Sequence, residues 1–245
     1  MESASRSHTP KGKKSREHIL AAAERQFAAH GFHGTSMRDV ADAADVPVAG
    51  VVYHFGRKEA LYAAVLTEIA QELERDLGLE RLGEGAPFPA VDASFYVTQL
   101  DDVVLALVHW ADERPDRVRL LLREIVDNPS RVARAEKLPL APVLTSMSAF
   151  IQAGSVAGVF RVETPEIAVL HIVGAVSYVV AARPTVRRIL GVDPSKAYAR
   201  EAVLFARQVV GLSSDIDNEV PHGSKHRDRP RTPRARTHRR ADDRR

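Results

Sequence analysis

Residues 35–58 read TSMRDVADAADVPVAGVVYHFGRK, and the fold turns on this stretch. Ser36 followed three residues later by Asp39 is a capping-box pattern. The hydroxyl can accept from an orphaned backbone N–H, and the carboxylate suits the positive end of a helix. Val40, Ala41 and Ala44 then recur at the three- and four-residue spacings that put side chains on one helix face, and Ala41 is small enough to let a second helix approach closely. Asp45-Val46-Pro47 breaks the pattern: Asp tolerates a left-handed or turn conformation, and Pro47 favours extended geometry in Val46 before it. Val51 and Phe55 bring apolar contacts back beyond the turn. The stretch therefore predicts two short helices joined as a helix-turn-helix.

Upstream, Ser15 or Arg16 opens a helix whose apolar face is Ile19, Ala23 and Phe27, with Leu20 beside them. Gly31 stops it, and Phe32 just beyond can fold back on its last turn. This helix packs across the pair and completes a three-helix unit. His30 and His33 have a spacing that could chelate a metal on a continuous helix, but Gly31 interrupts that helix, so no metal site is expected. Downstream, Lys58 begins a long helix in which Leu61, Val65, Ile69, Leu73 and Leu77 repeat every fourth residue. Its first turn belongs to the three-helix unit and its remainder to the second domain, which makes it the expected mechanical link. Glycines and prolines between Gly78 and Ala90 mark a loop.

The order Gly31-Phe32-His33-Gly34-Thr35-Ser36, Arg38-Asp39-Val40-Ala41, turn, Tyr53-His54-Phe55-Gly56, Lys58-Glu59-Ala60-Leu61 resembles the DNA-binding domain of the TetR repressor family, over about Ser15 to Leu66. The resemblance implies an all-α homodimer. Its N-terminal three-helix helix-turn-helix domain would bind double-stranded operator DNA, and its C-terminal helical domain would dimerise and bind a small-molecule inducer. Three positions depart from the family pattern: Asp45 stands where a turn glycine is expected, Pro47 where a Ser or Thr often caps the recognition helix, and Val52 where an aromatic commonly precedes Tyr53. Val48, Ala49, Gly50 and Val51 carry no hydrogen-bonding side chain, so Val48, Ala49 and Gly50 are expected to offer methyl contacts, shape fit and backbone groups to DNA. Arg38 is then the candidate base reader, since a guanidinium can bridge guanine O6 and N7. Lys13, Lys14, Thr35, Tyr53, His54 and Lys58 form the phosphate-holding set, and Ser36 completes the DNA-binding residues.

At 245 residues the chain can hold one small and one medium domain, expected as an arm at 1–14, the DNA-binding domain at 15–60, a ligand-binding and dimerisation domain at 61–212, and a tail at 213–245. It has no cysteine, which excludes a disulfide framework and a Cys-ligated zinc finger and fits a cytoplasmic location. The polar, basic opening is not a secretory signal, and no uninterrupted apolar run approaches a membrane span. The net charge of +3 conceals an asymmetry: residues 1–18 carry +3 and residues 221–245 carry ten Lys or Arg against three Asp, leaving the stretch between them acidic. Basic character belongs to the two tails. Both are expected to be disordered, with the C-terminal one either merely solvated or touching phosphates non-specifically.

The second domain reads as five helices: about Asp92 to Arg114, Asp116 to Asp127, Ser130 to Phe160 with a possible kink at Pro139 and Pro142, Thr164 to just before Pro184, and Asp193 to Gly211. The last two, about 165–183 and 194–211, are rich in small residues and are expected to meet their symmetry mates in a four-helix dimer interface. His109, Trp110, Met147, Phe150, His171 and Tyr178 are polar or aromatic positions within apolar helices and are the candidate lining of an inducer pocket. No nucleophile elbow, zinc-protease, P-loop or dinucleotide-binding segment occurs, so neither enzyme activity nor a cofactor is expected. A second possibility stays open: a helix-turn-helix regulator governed by a partner protein, whose mark would be a second domain without a cavity.

Overall fold

The capping box at Ser36 forms as its residue types require: the Asp39 N–H donates to Ser36 Oγ at 3.1 Å and the Ser36 N–H to Asp39 Oδ2 at 2.7 Å. Nine helices are present among the residues that this computed structural model describes, which are 10–79, 92–127, 138–191, 193 and 195–212. They are α1 (Pro10–His30), α2 (Met37–Ala43), α3 (Val48–Phe55), α4 (Lys58–Asp76), α5 (Ala93–Glu113), α6 (Pro115–Asp127), α7 (Ala141–Val156), α8 (Pro165–Leu190) and α9 (Ser195–Val209). No strand occurs among the described residues. The 1–9 part of the arm, most of the loop between Gly78 and Ala90, residues 128–137 of the third body helix, and the tail beyond 212 lie outside them.

α1 packs on α2 and α4, and α2 on α3, around Ile19, Ala23, Phe27, Val40, Ala41 and Val51, each fully or almost fully buried. Asp45 adopts a left-handed backbone at φ +50° in the turn between α2 and α3. Gly31 ends α1 at φ +73°, and Phe32 folds back so that its ring stacks on Phe27 with centroids 6.3 Å apart. The leucine stripe of α4 is buried along its length and carries the chain out of this head into the body.

Four boundaries differ from the sequence reading. α1 begins at Pro10 rather than at Ser15 or Arg16, so Lys13 and Lys14 sit on its exposed first turns and not on an unstructured arm. A proline is well suited to the first helical position, where no N–H bond is required. Among the described residues the third body helix runs from Ala141 to Val156, with Pro142 in its first turn instead of at a kink, and Gly158 at φ +75° follows its end. α8 continues through Pro184 to Leu190, where Gly191 in a left-handed conformation stops it. α9 starts at Ser195 and ends at Val209.

The described residues gather into one compact unit. In the body, α8 is the central contact for α5, α6, α7 and α9, while α5 packs against α9. A bidentate ion pair from Arg207 to Asp101, at 3.0 and 2.6 Å, ties α9 to α5. By length and mean hydropathy α8 would suffice to cross a membrane, which the count of uninterrupted apolar runs does not anticipate. Here one face, Val169, Ile172, Val176 and Val180, is buried against its neighbours, and most of the remainder is half-buried or exposed.

Candidate nucleic-acid interface and ligand cavity

The exposed side of the helix-turn-helix pair combines one cation with an aromatic and two aliphatic side chains. Tyr53 is 76% exposed, Val52 46% and Val48 39%, and Arg38 and Ala49 lie open beside them, all projecting from α2 and α3 while Val51 and Phe55 anchor α3 beneath. Gly50 is half-buried, and a side chain there would meet only Val46, so the backbone of α3 is approachable at that point. The Asp39 carboxylate is turned into the cap, where the Ser36 N–H and hydroxyl hold it below the usual carboxylate range.

The residues expected to hold phosphates differ in their placement. Thr35 is 2% exposed, and its hydroxyl donates to the carbonyls of Gly31 at 2.9 Å and Gln26 at 3.1 Å. It locks the turn onto the end of α1 and is turned away from solvent. Ser36 remains exposed, with its hydroxyl engaged in the cap. The Lys58 ammonium stands 4.5 Å above the Phe32 ring at the start of α4, a cation–π contact that fixes its position while leaving it partly exposed. His54 is half-buried against Tyr53 and Phe55. Two cations that sequence reasoning passed over lie near the end of α3. Arg57 is 81% exposed immediately before α4, and Arg16 stacks over Phe55 at 5.1 Å. Arg57 could have been found from its neighbour Lys58; the placement of Arg16 depends on how α1 crosses α3.

Two adjoining apolar cavities lie in the body. One, of about 360 Å³, is walled by Leu66, Leu121, Ile125, Leu138, Leu140 and Leu144, with Glu124 and Thr145 as its polar margin. The other, of about 140 Å³, is bounded by Leu73, Leu107, Trp110, Val118, Met147 and Gly174. Leu121, Ile125, Leu140 and Leu144 border both. Of the six candidate lining residues, Trp110 and Met147 are brought to this space. The others are not. His109 is exposed and pairs with Glu113 at 3.2 Å, while His171 and Tyr178 face outward on α8. Phe150 is buried in an aromatic cluster with Tyr96 and Phe160, at centroid distances of 6.0 and 5.9 Å. A polar or aromatic residue in an apolar helix does not declare which face it occupies, and leucines, ordinary core residues by type, form the walls instead.

This head, with its capped pair and its link helix, matches the family model "Bacterial regulatory proteins, tetR family" over residues 19–65, and a tetracyclin repressor-like C-terminal domain matches residues 97–208. The chain belongs to the TetR family of transcriptional regulators. It is 47% identical over 51 residues to the HTH-type transcriptional regulator RutR of Escherichia coli K12, covering 21% of this chain and 24% of RutR. It is 29% identical over 116 residues to the regulatory protein RaaS of Mycobacterium tuberculosis H37Rv, covering 45% of this chain and 51% of RaaS. These matched spans are thus about a quarter and about half of those relatives' lengths. Among solved structures, a tetR-family regulatory protein from Rhodococcus RHA1 superimposes with a TM-score of 0.64 at 25% identity, over 82% of this chain and 98% of that one.

In this TetR-family chain the two departures at the turn are absorbed locally. Asp45 takes the left-handed backbone that a glycine would otherwise supply, and Pro47 caps α3 without a side-chain hydrogen bond. The third departure, Val52, leaves an aliphatic side chain on the exposed face of the recognition helix.

Proposed function

We propose that this TetR-family regulator is a cytoplasmic repressor that binds a palindromic operator as a homodimer and leaves it when a small, largely apolar molecule enters the body cavity. The observation that carries this is the continuity of α4: it begins at Lys58 beside the exposed face of α3 and ends with Leu66 and Leu73 in the cavity walls. One helix therefore spans a DNA-facing surface and an apolar space large enough for a small molecule. The alternative of control by a partner protein called for a second domain without such a space, so the cavity favours the ligand.

The dimer reading rests on α8 and α9, which leave Ile167, Leu170, Tyr178, Leu204 and Phe205 partly or largely exposed along two neighbouring helices. A monomer would present this apolar surface to water, whereas a two-fold pairing buries it. Such a dimer presents two recognition helices about one turn of DNA apart, ~34 Å, or a multiple of it. The domain division, with the head at 15–60 and the body at 61–212, follows the same logic.

Selection of duplexes from a random pool by the full-length protein tests the reading, followed by titration of the selected duplex with N-phenylnaphthylamine, a neutral apolar fluorophore, added to compete. The expected result is a palindromic sequence, binding as a dimer in sedimentation, and weaker DNA binding as the fluorophore fills the cavity. A monomer that binds the selected duplex at full affinity, or a fluorophore whose affinity is the same with and without DNA, overturns it.

A further inference from the structure

The head has a second attachment to the body besides α4. Arg117, in the first turns of α6, points its guanidinium at Glu24 of α1, with Nε 2.8 Å from Oε1 and Nη2 3.0 Å from Oε2, and its Nη1 donates to Glu72 of α4. Arg114 joins the same carboxylate from the end of α5, Nε to Glu72 Oε1 at 2.6 Å, and reaches Asp76 at 3.5 Å. These side chains are about one-fifth exposed: 17% for Arg117, 23% for Glu24 and 22% for Glu72. Burial alone would push the Glu72 carboxyl up, yet the Arg117 hydrogen bond and the charges of Arg117 and Arg114 hold it below the usual range. Six residues further along α6, Arg123 Nη1 donates to the Ala29 carbonyl near the end of α1 at 3.4 Å.

We propose that Arg117 is the positioning residue that fixes the roll and tilt of the DNA-binding head against the body. The inference rests on the ligand reading above. A head carried only by α4 can swivel about that helix, because a single rod constrains neither roll nor tilt. The fork to Glu24 closes a triangle of α1, α4 and α6 and removes that freedom. The adjoining face of α6 contributes Val118, Leu121 and Ile125 to the cavity walls, so a molecule that shifts α6 shifts Arg117 with it. Trp110, on α5, also borders the cavity. Guanidinium geometry matters here, since one planar fork holds a carboxylate bidentately and still has a donor for a second. Without it, Glu24 and Glu72 bring two negative charges toward one another across the α1–α4 contact.

The test compares wild type with Arg117→Gln and Glu24→Gln. The chain has no cysteine, so Val52→Cys in α3 and Val156→Cys in α7 can be combined in one chain, both spin-labelled, and the intrachain distance read without DNA, in dimers diluted with unlabelled chain. A narrow distance distribution in wild type and a broader one in both variants, with cooperative melting retained, is expected. In the second arm, N-phenylnaphthylamine should weaken binding of the selected duplex by about fivefold or more in wild type and by about twofold or less in the variants. Should Arg117→Gln fail to fold, Glu24→Gln, which leaves Arg117 with Glu72, carries both arms. Distances as narrow as wild type in the variants, or coupling undiminished in them, overturns this inference alone. Coupling already absent in wild type overturns the ligand reading and this inference with it.

Discussion

Thr35→Val separates a structural hydroxyl from a phosphate contact. Valine has nearly the same shape as threonine, so the substitution removes a donor and little volume. The hydroxyl has a single proton, directed between the carbonyls of Gly31 at 2.9 Å and Gln26 at 3.1 Å, and the residue is 2% exposed. One net hydrogen bond contributes about 1 kcal/mol, and leaving a buried acceptor without its donor adds a desolvation cost, so the expected loss is about 1–3 kcal/mol. At about 2–4 °C per kcal/mol for a chain of this size, the melting temperature should fall by about 2–12 °C. Thermal unfolding measures that directly. DNA affinity is then measured well below the melting temperature on a generic duplex at several salt concentrations, since phosphate contacts do not depend on sequence. Affinity and salt slope should match wild type. An unchanged melting temperature together with weaker binding and a salt slope reduced by about one would show that Thr35 touches phosphate after all.

Arg38→Ala should cost about 1–3 kcal/mol on the selected duplex and relax preference at one position per half-site, which repeated selection with the variant would show; an unchanged consensus would mean that shape alone is read. The folded-state shift of Asp39 is downward, so its contribution to stability is complete above the ordinary value of 3.8 and is lost as pH falls through its lower folded value. Ser36→Ala should therefore flatten the acid limb of the stability profile below about pH 4, and an identical limb would refute the cap as its cause. Gly154→Ala places a methyl group against the Phe160 ring, and the strain should cost about 1–3 kcal/mol in urea unfolding with DNA preference intact. Tyr178→Asp, on the exposed side of α8, should yield monomers in sedimentation with unchanged helicity; a persistent dimer would place the interface elsewhere.

The head was legible in the sequence because its determinants are local. A hydroxyl and a carboxylate three residues apart make a capping box in either direction of inference, Asp45 can adopt positive φ unaided, and the four-residue leucine stripe of α4 states which side must be buried. What local pattern could not reveal was azimuth and partnership. Thr35 looks like a surface hydroxyl until the end of α1 closes over it, and His109, His171 and Tyr178 look like pocket residues until packing turns them outward. The sequence reading ended α8 before Pro184, whereas its last turns run on, largely exposed, to the left-handed stop at Gly191. The cavity walls are leucines indistinguishable in type from core leucines, and the Arg117 fork joins residues 93 and 45 positions apart in the chain. Short-range hydrogen bonding and helical periodicity are carried by neighbouring residues and can be read from them. The angles at which helices cross, which decide what an arginine reaches and which space stays empty, are set by the packing of all of them together.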